Sequence, residues 1–283
     1  MERFYGPLDK SINAVYNVVI SPVTLSCWLF RQLPFRKKKT VEILDDACPK
    51  FSEIPTEAET DKIDAAWPPA PHPVEALSVH DLFRANGKLI RDLCYATTLS
   101  EEEAENFLLP VIANLARIVH LTPASEYDHH QGYGGLFTHS LEVAYYAAND
   151  AKTTIFDRSA SPKELHQNKR RWILTAVLTA LGKAFTDMDI TAPNGQHWVQ
   201  DEPIVDWLRK NGIKSYYISF RPGREHNAHK SASLANSGML IPKETFTFLG
   251  LTGYGEQMLK EFRNALLEGK EGGLIGKILD NAD

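Results

Sequence analysis

The chain has 283 residues, of which 43% are hydrophobic and 24% charged, and its formal net charge is −5. These values are ordinary for a globular protein of one large domain or two small ones, and they exclude a strongly cationic surface, so any contact with nucleic acid must use local basic patches. The three cysteines form no C-x-x-C pair, which excludes a cysteine-based zinc or redox motif and favours a reducing compartment.

Residues 1–40 form an N-terminal segment that is apolar and then basic. A mostly apolar run, 12–30, is followed by Arg31 and the basic cluster 36–39. The run has the length of a membrane span, but the asparagines, serines and proline within it oppose insertion. It lacks the flanks of a secretory signal peptide. Two interpretations stay open: a helix that docks on the body of the protein, or an anchor in which residues 12–39 meet an anionic membrane surface.

Composition changes twice more along the chain. Residues 41–74 are acidic and rich in proline, which predicts an extended linker. The last stretch, 269–283, contains four glycines and is predicted to be a flexible tail. The body of the protein is therefore expected between residues 75 and 268.

Helical signals dominate that body. Apolar spacing predicts a helix that begins at Ser78 and further helices over 107–120, 136–150, 163–184 and 255–267. Ser100, followed by three glutamates, is a predicted N-cap with an acidic first turn. The strand signals are 215–220 and, more weakly, 245–251. The predicted fold class is mainly α, with a short β excursion near 215–251.

Three of the ten histidines, His129, His130 and His139, fall within eleven positions around the pair Gly134-Gly135. Imidazoles beside a flexible turn are typical of a metal or phosphate site. The glycines fit a backbone that approaches a phosphate, or simply a tight turn into the following helix.

Residues 139–144 read H-S-L-E-V-A, and residues 181–183 read L-G-K. This pattern resembles the HD superfamily of metal-dependent phosphohydrolases. With the histidine cluster, the glycine pair and segment 216–229, it is similar to the HD-like N-terminal domain of MobH-type conjugative relaxases over about residues 73–254. The resemblance implies an HD-like helical bundle over 75–268 and a role in DNA processing for conjugative transfer of a mobile element. The implied location is the bacterial cytoplasm, with the inner membrane as an added site of association.

The resemblance also implies a metal site in which His139 is the first ligand. The adjacent His-Asp pair of the superfamily falls at Thr179-Ala180, and neither residue is a useful metal ligand. Two readings follow: His129, His130, His226 and His229 join His139 in a rearranged site for manganese, iron or zinc, or these histidines bind no metal. Lys183 and Asp187 are the candidate catalytic residues.

Basic and aromatic side chains alternate near the predicted strand, at Lys214, Tyr217, Arg221 and Arg224. This alternation suits single-stranded nucleic acid, and an ordinary solvated strand edge explains it equally well. The sequence has no G-x-x-x-x-G-K-[ST] loop, so ATP-driven helicase activity is not supported.

Three functions remain as alternatives. The first is a divergent or non-catalytic accessory that binds DNA or a protein of the transfer machinery. The second is an active metal-dependent phosphodiesterase or nuclease, a relaxase with a rearranged histidine site. The third is a scaffold tethered to the membrane through residues 12–39.

Overall fold

A computed structural model describes residues 47–57, 73–154, 182–225, 228–250 and 255–283. Several predicted features lie outside these ranges: the apolar run 12–30, most of the helix predicted over 163–184, the Thr179-Ala180 pair and His226. The chain divides into two compact units, Met1–Lys39 and Thr40–Asp283, and every described residue belongs to the second.

Helices make up most of the described structure. In chain order they are α1 (Val79–Ala85), α2 (Gly87–Thr97), α3 (Glu101–Glu103), α4 (Leu109–Val119), α5 (Gly135–Thr153), α6 (Ile204–Asn211), α7 (Ala228–Ala235), α8 (Ser237–Leu240), α9 (Lys243–Gly250), α10 (Gly255–Glu268) and α11 (Leu274–Ala282). Residues 182–187 are also helical, a π-helical segment (Ala104–Leu108) joins α3 to α4, and two 3-10 turns occupy Phe51–Glu53 and Gly269–Gly272. The strands are β1 (Val74–Glu75), β2 (Met188–Thr191) and β3 (Ser215–Phe220). The mainly α fold class is confirmed.

Two predicted helix starts are confirmed by their capping hydrogen bonds. Ser78 Oγ accepts from the Asp81 amide at 3.1 Å, and the Asp81 carboxylate accepts from the Ser78 amide at 3.3 Å. Ser100 and Glu103 form the same reciprocal pair before α3, at 3.1 Å in both directions. Each pair satisfies amides that the first turn of a helix leaves without partners, so these two starts are set locally by the sequence.

The three strands form an antiparallel sheet in the order β1-β3-β2. In β3, Tyr216 and Ile218 are buried while Tyr217 between them is exposed, as expected for a strand with one face on the core. The strand predicted over 215–220 is confirmed. The strand predicted over 245–251 is wrong, because Lys243–Gly250 is helix α9. Thr245 and Phe248 share one helical face there and both contact Phe107 of the π-helical segment.

Apolar faces of the helices meet in one core. Helix α4 is buried along almost its whole length, α2 packs against α5, and α4 also contacts α6. Helix α11 packs against α5 and α10 and buries Ile275, Ile278 and Leu279. Helix α11 was not predicted from the sequence. Its packing places the last residues of the chain against α5.

Part of the predicted linker packs on this core. Phe51 and Ile54 are buried. The Phe51 amide donates to Glu105 Oε1 at 2.9 Å, and Arg91 Nε donates to the Ile54 carbonyl at 2.8 Å. Arg91 also lies over the Phe51 ring, with its guanidinium carbon 4.7 Å from the ring centroid. Residues 50–54 are thereby fastened to α2 and to the π-helical segment.

Among the helices that the structure describes, none is both long enough and apolar enough to cross a membrane.

Candidate functional site

The loop between α4 and α5 holds the histidine cluster in a fixed shape. Its backbone is closed by hydrogen bonds from the Ala124 amide to the His130 carbonyl and from the Gly134 amide to the Leu121 carbonyl, both at 3.0 Å. Gly134 has a φ of 75°, in the left-handed region that favours glycine. A side chain at Gly135 would overlap the His130 carbonyl oxygen. The glycine pair therefore fits a tight turn into α5.

The imidazoles of His129 and His130 in this loop pack against each other and against that of His139 on α5. The ring centroids of His129 and His139 are 4.9 Å apart, and the ring centroid of His130 lies 5.4 Å from each of them. His139 is only 3% exposed, whereas the side chain of His129 is 50% exposed. The clustering expected from the sequence is present for these three residues.

Their ring nitrogens, however, go to different partners. His130 Nε2 lies 2.8 Å from Glu142 Oε2, and His139 Nε2 lies 2.9 Å from Asp283 Oδ1. Glu142 is one turn beyond His139 on α5, and Asp283 follows α11. A rearranged metal site would need the Nε2 atoms of His130 and His139 to bind one ion. Here each of these atoms contacts a different carboxylate, that of Glu142 or that of Asp283.

Charge in the site follows from these contacts. The hydrogen bond from His139 lowers the pKa of Asp283 to about 2, against the effect of its partial burial. Burial lowers the pKa of His130, although the Glu142 carboxylate opposes the shift. Burial, assisted by the Lys183 ammonium, also lowers the pKa of His229. Near neutral pH, Asp283 is therefore an anion and His130 and His229 are neutral.

The residues that the structure describes do not fit the metal that the HD resemblance implies. Within the described ranges, no group of three or more His, Cys, Asp or Glu side chains is placed to hold a metal ion. In the sequence, Thr179-Ala180 takes the place of the His-Asp pair, and a zinc site needs at least three protein ligands.

A cavity of about 590 Å³ opens beside Asp283. Charged and titratable side chains from several elements line it. Lys183 and Asp187 come from the helical turn 182–187, His229 and Lys230 from α7, Asp280 from α11 and Asp283 from the residue after it. Glu126, Arg224 and Glu225 come from two loops. Asp283 joins the cavity to the histidine cluster, because its carboxylate contacts His139 and also faces Lys183 and His229. Four predicted site residues, Lys183, Asp187, His229 and Arg224, therefore meet at one cavity.

Gly182, the glycine of the L-G-K segment, brings two walls of this cavity together. Its amide donates to Ser233 Oγ at 2.8 Å, and a side chain on Gly182 would overlap the His229 carbonyl oxygen. The backbone of 182–187 therefore touches α7 directly. This close approach places Lys183 beside His229.

The predicted nucleic-acid residues separate into two pairs. Arg221 Nε donates to Asp189 at 2.8 Å, and Arg224 donates to Glu126 at 2.8 Å, so both guanidiniums already contact a carboxylate. Lys214 and Tyr217 are exposed on β3 and just before it. Only Arg224 of the four lines the cavity.

Asp283 is the main site residue that sequence reasoning missed, together with Glu142. A signal for it existed, because Leu274, Ile275, Ile278 and Leu279 have the apolar spacing of a helix that ends near residue 283. The glycines at 269, 272 and 273 favoured a loose tail instead. The pairing of Asp283 with His139 joins residues 144 positions apart, and local pattern carries no information on such a contact.

Comparison with known proteins gives a family. The model of the TraI_2 family, described as "Putative helicase", matches residues 74–282, which is most of the chain. No curated protein matches it. The family description names a helicase, but the sequence of this chain contains no G-x-x-x-x-G-K-[ST] loop and so does not support ATP-driven helicase activity. The chain belongs to the TraI_2 family, a relaxase-related family of conjugative transfer.

Proposed function

We propose that this chain acts in DNA processing for conjugative transfer as a divergent, non-catalytic accessory that binds DNA or a transfer protein. Its site would descend from an HD-type metal centre that has lost its central ligands. Family membership supports the setting, and the arrangement of the histidines supports the loss of the metal.

One observation carries the non-catalytic reading. The Nε2 atoms of His130 and His139 are bonded to Glu142 and Asp283, at 2.8 and 2.9 Å. A rearranged histidine site would instead need imidazole nitrogens at roughly 2.0–2.1 Å from one common point. An imidazole nitrogen that is hydrogen-bonded to a carboxylate is satisfied without an ion.

The sequence at the central pair gives the second support. Thr179 and Ala180 offer one weak hydroxyl ligand and one methyl group. Of the histidine and the His-Asp pair that the resemblance implies, His139 alone is kept, and the Asp283 carboxylate lies 2.9 Å from its Nε2. Two ligands leave a transition metal mostly hydrated and weakly held.

Restoring the pair tests the proposal. The double variant Thr179→His, Ala180→Asp should bind about one manganese, iron or zinc ion per chain, the stoichiometry of a single site, while the natural sequence holds none. Elemental analysis of purified full-length protein, after growth in medium supplemented with each metal, measures this directly.

A matched control is the same double variant with His139→Asn added. Removing the first ligand should abolish the restored binding. A stoichiometric metal in the natural sequence would contradict the non-catalytic reading. Absence of metal from both the natural and the restored protein would contradict descent from an HD-type site.

A second candidate function, a metal-dependent phosphodiesterase, is favoured by one specific contact. The buried His139 and the Asp283 carboxylate lie 2.9 Å apart at the edge of a cavity that also contains Lys183 and Asp187. An imidazole and a carboxylate side by side are the ligand types of many metallohydrolases. Metal content of the natural protein separates this candidate from the accessory.

The proposed setting is the bacterial cytoplasm, with DNA and proteins of the transfer system as partners. Association with the inner membrane through residues 12–39 remains a prediction from the sequence. Membrane fractionation of the full-length chain and of a version that begins at Val74 tests this association. Equal partition of both proteins into the soluble fraction would contradict an anchor in residues 12–39.

A further inference from the structure

We infer that the cavity beside Asp283 receives a single nucleotide of single-stranded DNA and favours bases that carry an exocyclic amino group. This inference rests on the proposed role in DNA processing. It assigns the cavity a ligand class and a base preference.

The size and the apolar part of the lining suit a planar base. The cavity measures about 590 Å³, within the usual range of small-ligand pockets. Ala265 and Leu266 of α10 and Leu279 of α11 are buried residues that supply the apolar part of its lining. A nucleobase has two apolar faces and a polar edge, so it can lie on these residues and turn its edge toward charged groups.

The ammonium groups provide a place for a phosphodiester. Lys183 enters the cavity from the helical turn 182–187, and Lys230 enters from α7. Lys230 Nζ lies 3.4 Å from the point where a side chain on Gly269 would begin, so this ammonium reaches across to the turn before α11. Two lysines on neighbouring walls suit one phosphate, since lysine binds phosphate as a point charge with three donors.

Carboxylates outnumber the cations in the lining, and this excess determines the base preference. Glu126 is paired with Arg224 at 2.8 Å, and Asp283 with His139 at 2.9 Å. The other carboxylates belong to Asp187, Glu225 and Asp280.

Ionised carboxylates only accept hydrogen bonds. They would repel a second phosphate and accept from the amino groups of cytosine or adenine. Thymine has no amino group, and its one ring N–H lies between two carbonyl oxygens that the carboxylates would repel. The cavity therefore suits one nucleotide whose base carries an exocyclic amino group better than it suits several consecutive phosphates.

Two aromatic residues, one in the lining and one next to it along the chain, suit neighbouring bases. The guanidinium carbon of Arg224 lies 4.5 Å from the centroid of the Phe220 ring, and both residues line the cavity. Tyr127, next to Glu126, is 84% exposed. Stacking on exposed aromatic rings is how proteins commonly hold successive bases of a single strand.

The test compares short labelled oligonucleotides of cytosine, of thymine and of abasic sugar-phosphate, bound to the full-length chain and measured by fluorescence anisotropy. We expect oligo-dC to bind about tenfold more tightly than oligo-dT, the effect of one good base contact, and the abasic strand to bind more weakly still. Lys183→Gln should weaken oligo-dC binding about fivefold to tenfold, as expected for one lost phosphate contact in a confined site.

Lys88→Gln is the matched control, because it removes the same charge from an exposed lysine on α2 that does not line the cavity. Equal affinity for all three strands would overturn the inference while leaving DNA binding intact. Equal losses from the two lysine variants would overturn it as well, since binding would then follow net charge. Absence of binding to every strand would instead remove DNA binding from the proposed function, and this inference with it.

Discussion

Replacing His120 with asparagine should remove most of the acid sensitivity that this buried imidazole gives to the fold. His120 follows α4 and is fully buried. Its Nδ1 lies 2.6 Å from the Tyr216 hydroxyl, and its Nε2 lies 3.0 Å from the Leu77 carbonyl. A neutral ring satisfies both contacts when Tyr216 O–H donates to Nδ1 and Nε2–H donates to Leu77.

Burial lowers the pKa of His120 to about 4, from 6.5 in an accessible chain. The unfolded chain therefore takes up the proton first as the pH falls. The stability that depends on the neutral ring is complete above pH 6.5 and is lost progressively toward pH 4. The loss in unfolding free energy amounts to about 2 kcal/mol by pH 5 and about 3 kcal/mol by pH 4.

Asparagine suits the substitution because it does not titrate and tolerates the positive φ of 45° at this position better than most residues. Urea unfolding of both proteins, followed by circular dichroism from pH 7.5 down to pH 4.5, measures the difference. The natural protein should lose about 2–3 kcal/mol more than the variant over that interval. Other groups, including His130 and His229, titrate in both proteins and cancel. Parallel pH profiles for the two proteins would refute the reasoning.

Two further substitutions test the walls of the site. Gly182→Ala should destabilise the fold by about 1–3 kcal/mol in urea unfolding, because the new methyl group would overlap the backbone of α7. Gly238→Ala should change stability little, since a side chain there meets nothing within 4 Å, and equal effects of the two would contradict the close approach. Asp283→Asn should cost about 1 kcal/mol at pH 7, discounted for its partial exposure, because His139 loses a charged partner. Thermal melting should show this loss for Asp283→Asn and almost none for Asp280→Asn. The difference should shrink as the pH falls from 3.8, the ordinary pKa of the carboxyl, through about 2, the pKa of Asp283 in the folded protein.

Local sequence predicted those elements whose cause is local. Ser78 and Ser100 begin helices because their hydroxyls and a carboxylate three residues later satisfy the first amides. Segment 215–220 is a strand because aromatic and β-branched residues alternate between core and solvent. The same pattern failed at 245–251, where contacts of Thr245 and Phe248 with Phe107 favour a helix over the strand tendency of the segment.

The candidate site, too, was only partly predictable from local sequence. The histidine cluster was visible in the sequence because His129, His130 and His139 are close along the chain and a fixed turn brings their rings together. Its relation to Lys183, Asp187 and His229 was proposed from resemblance, and the described structure gathers those three at one cavity.

The sequence by itself determined the mainly α fold class, the helix starts, the histidine cluster and the Thr179-Ala180 replacement, since each depends on residue type and short-range spacing. The tertiary structure decided which carboxylate each histidine meets. His139 is paired with Asp283 because α11 buries Ile275, Ile278 and Leu279 and packs against α5, which brings the end of the chain to the start of that helix. Hydrophobic burial is not directional, so a pattern of apolar residues predicts that α11 docks but not where its last side chain lies.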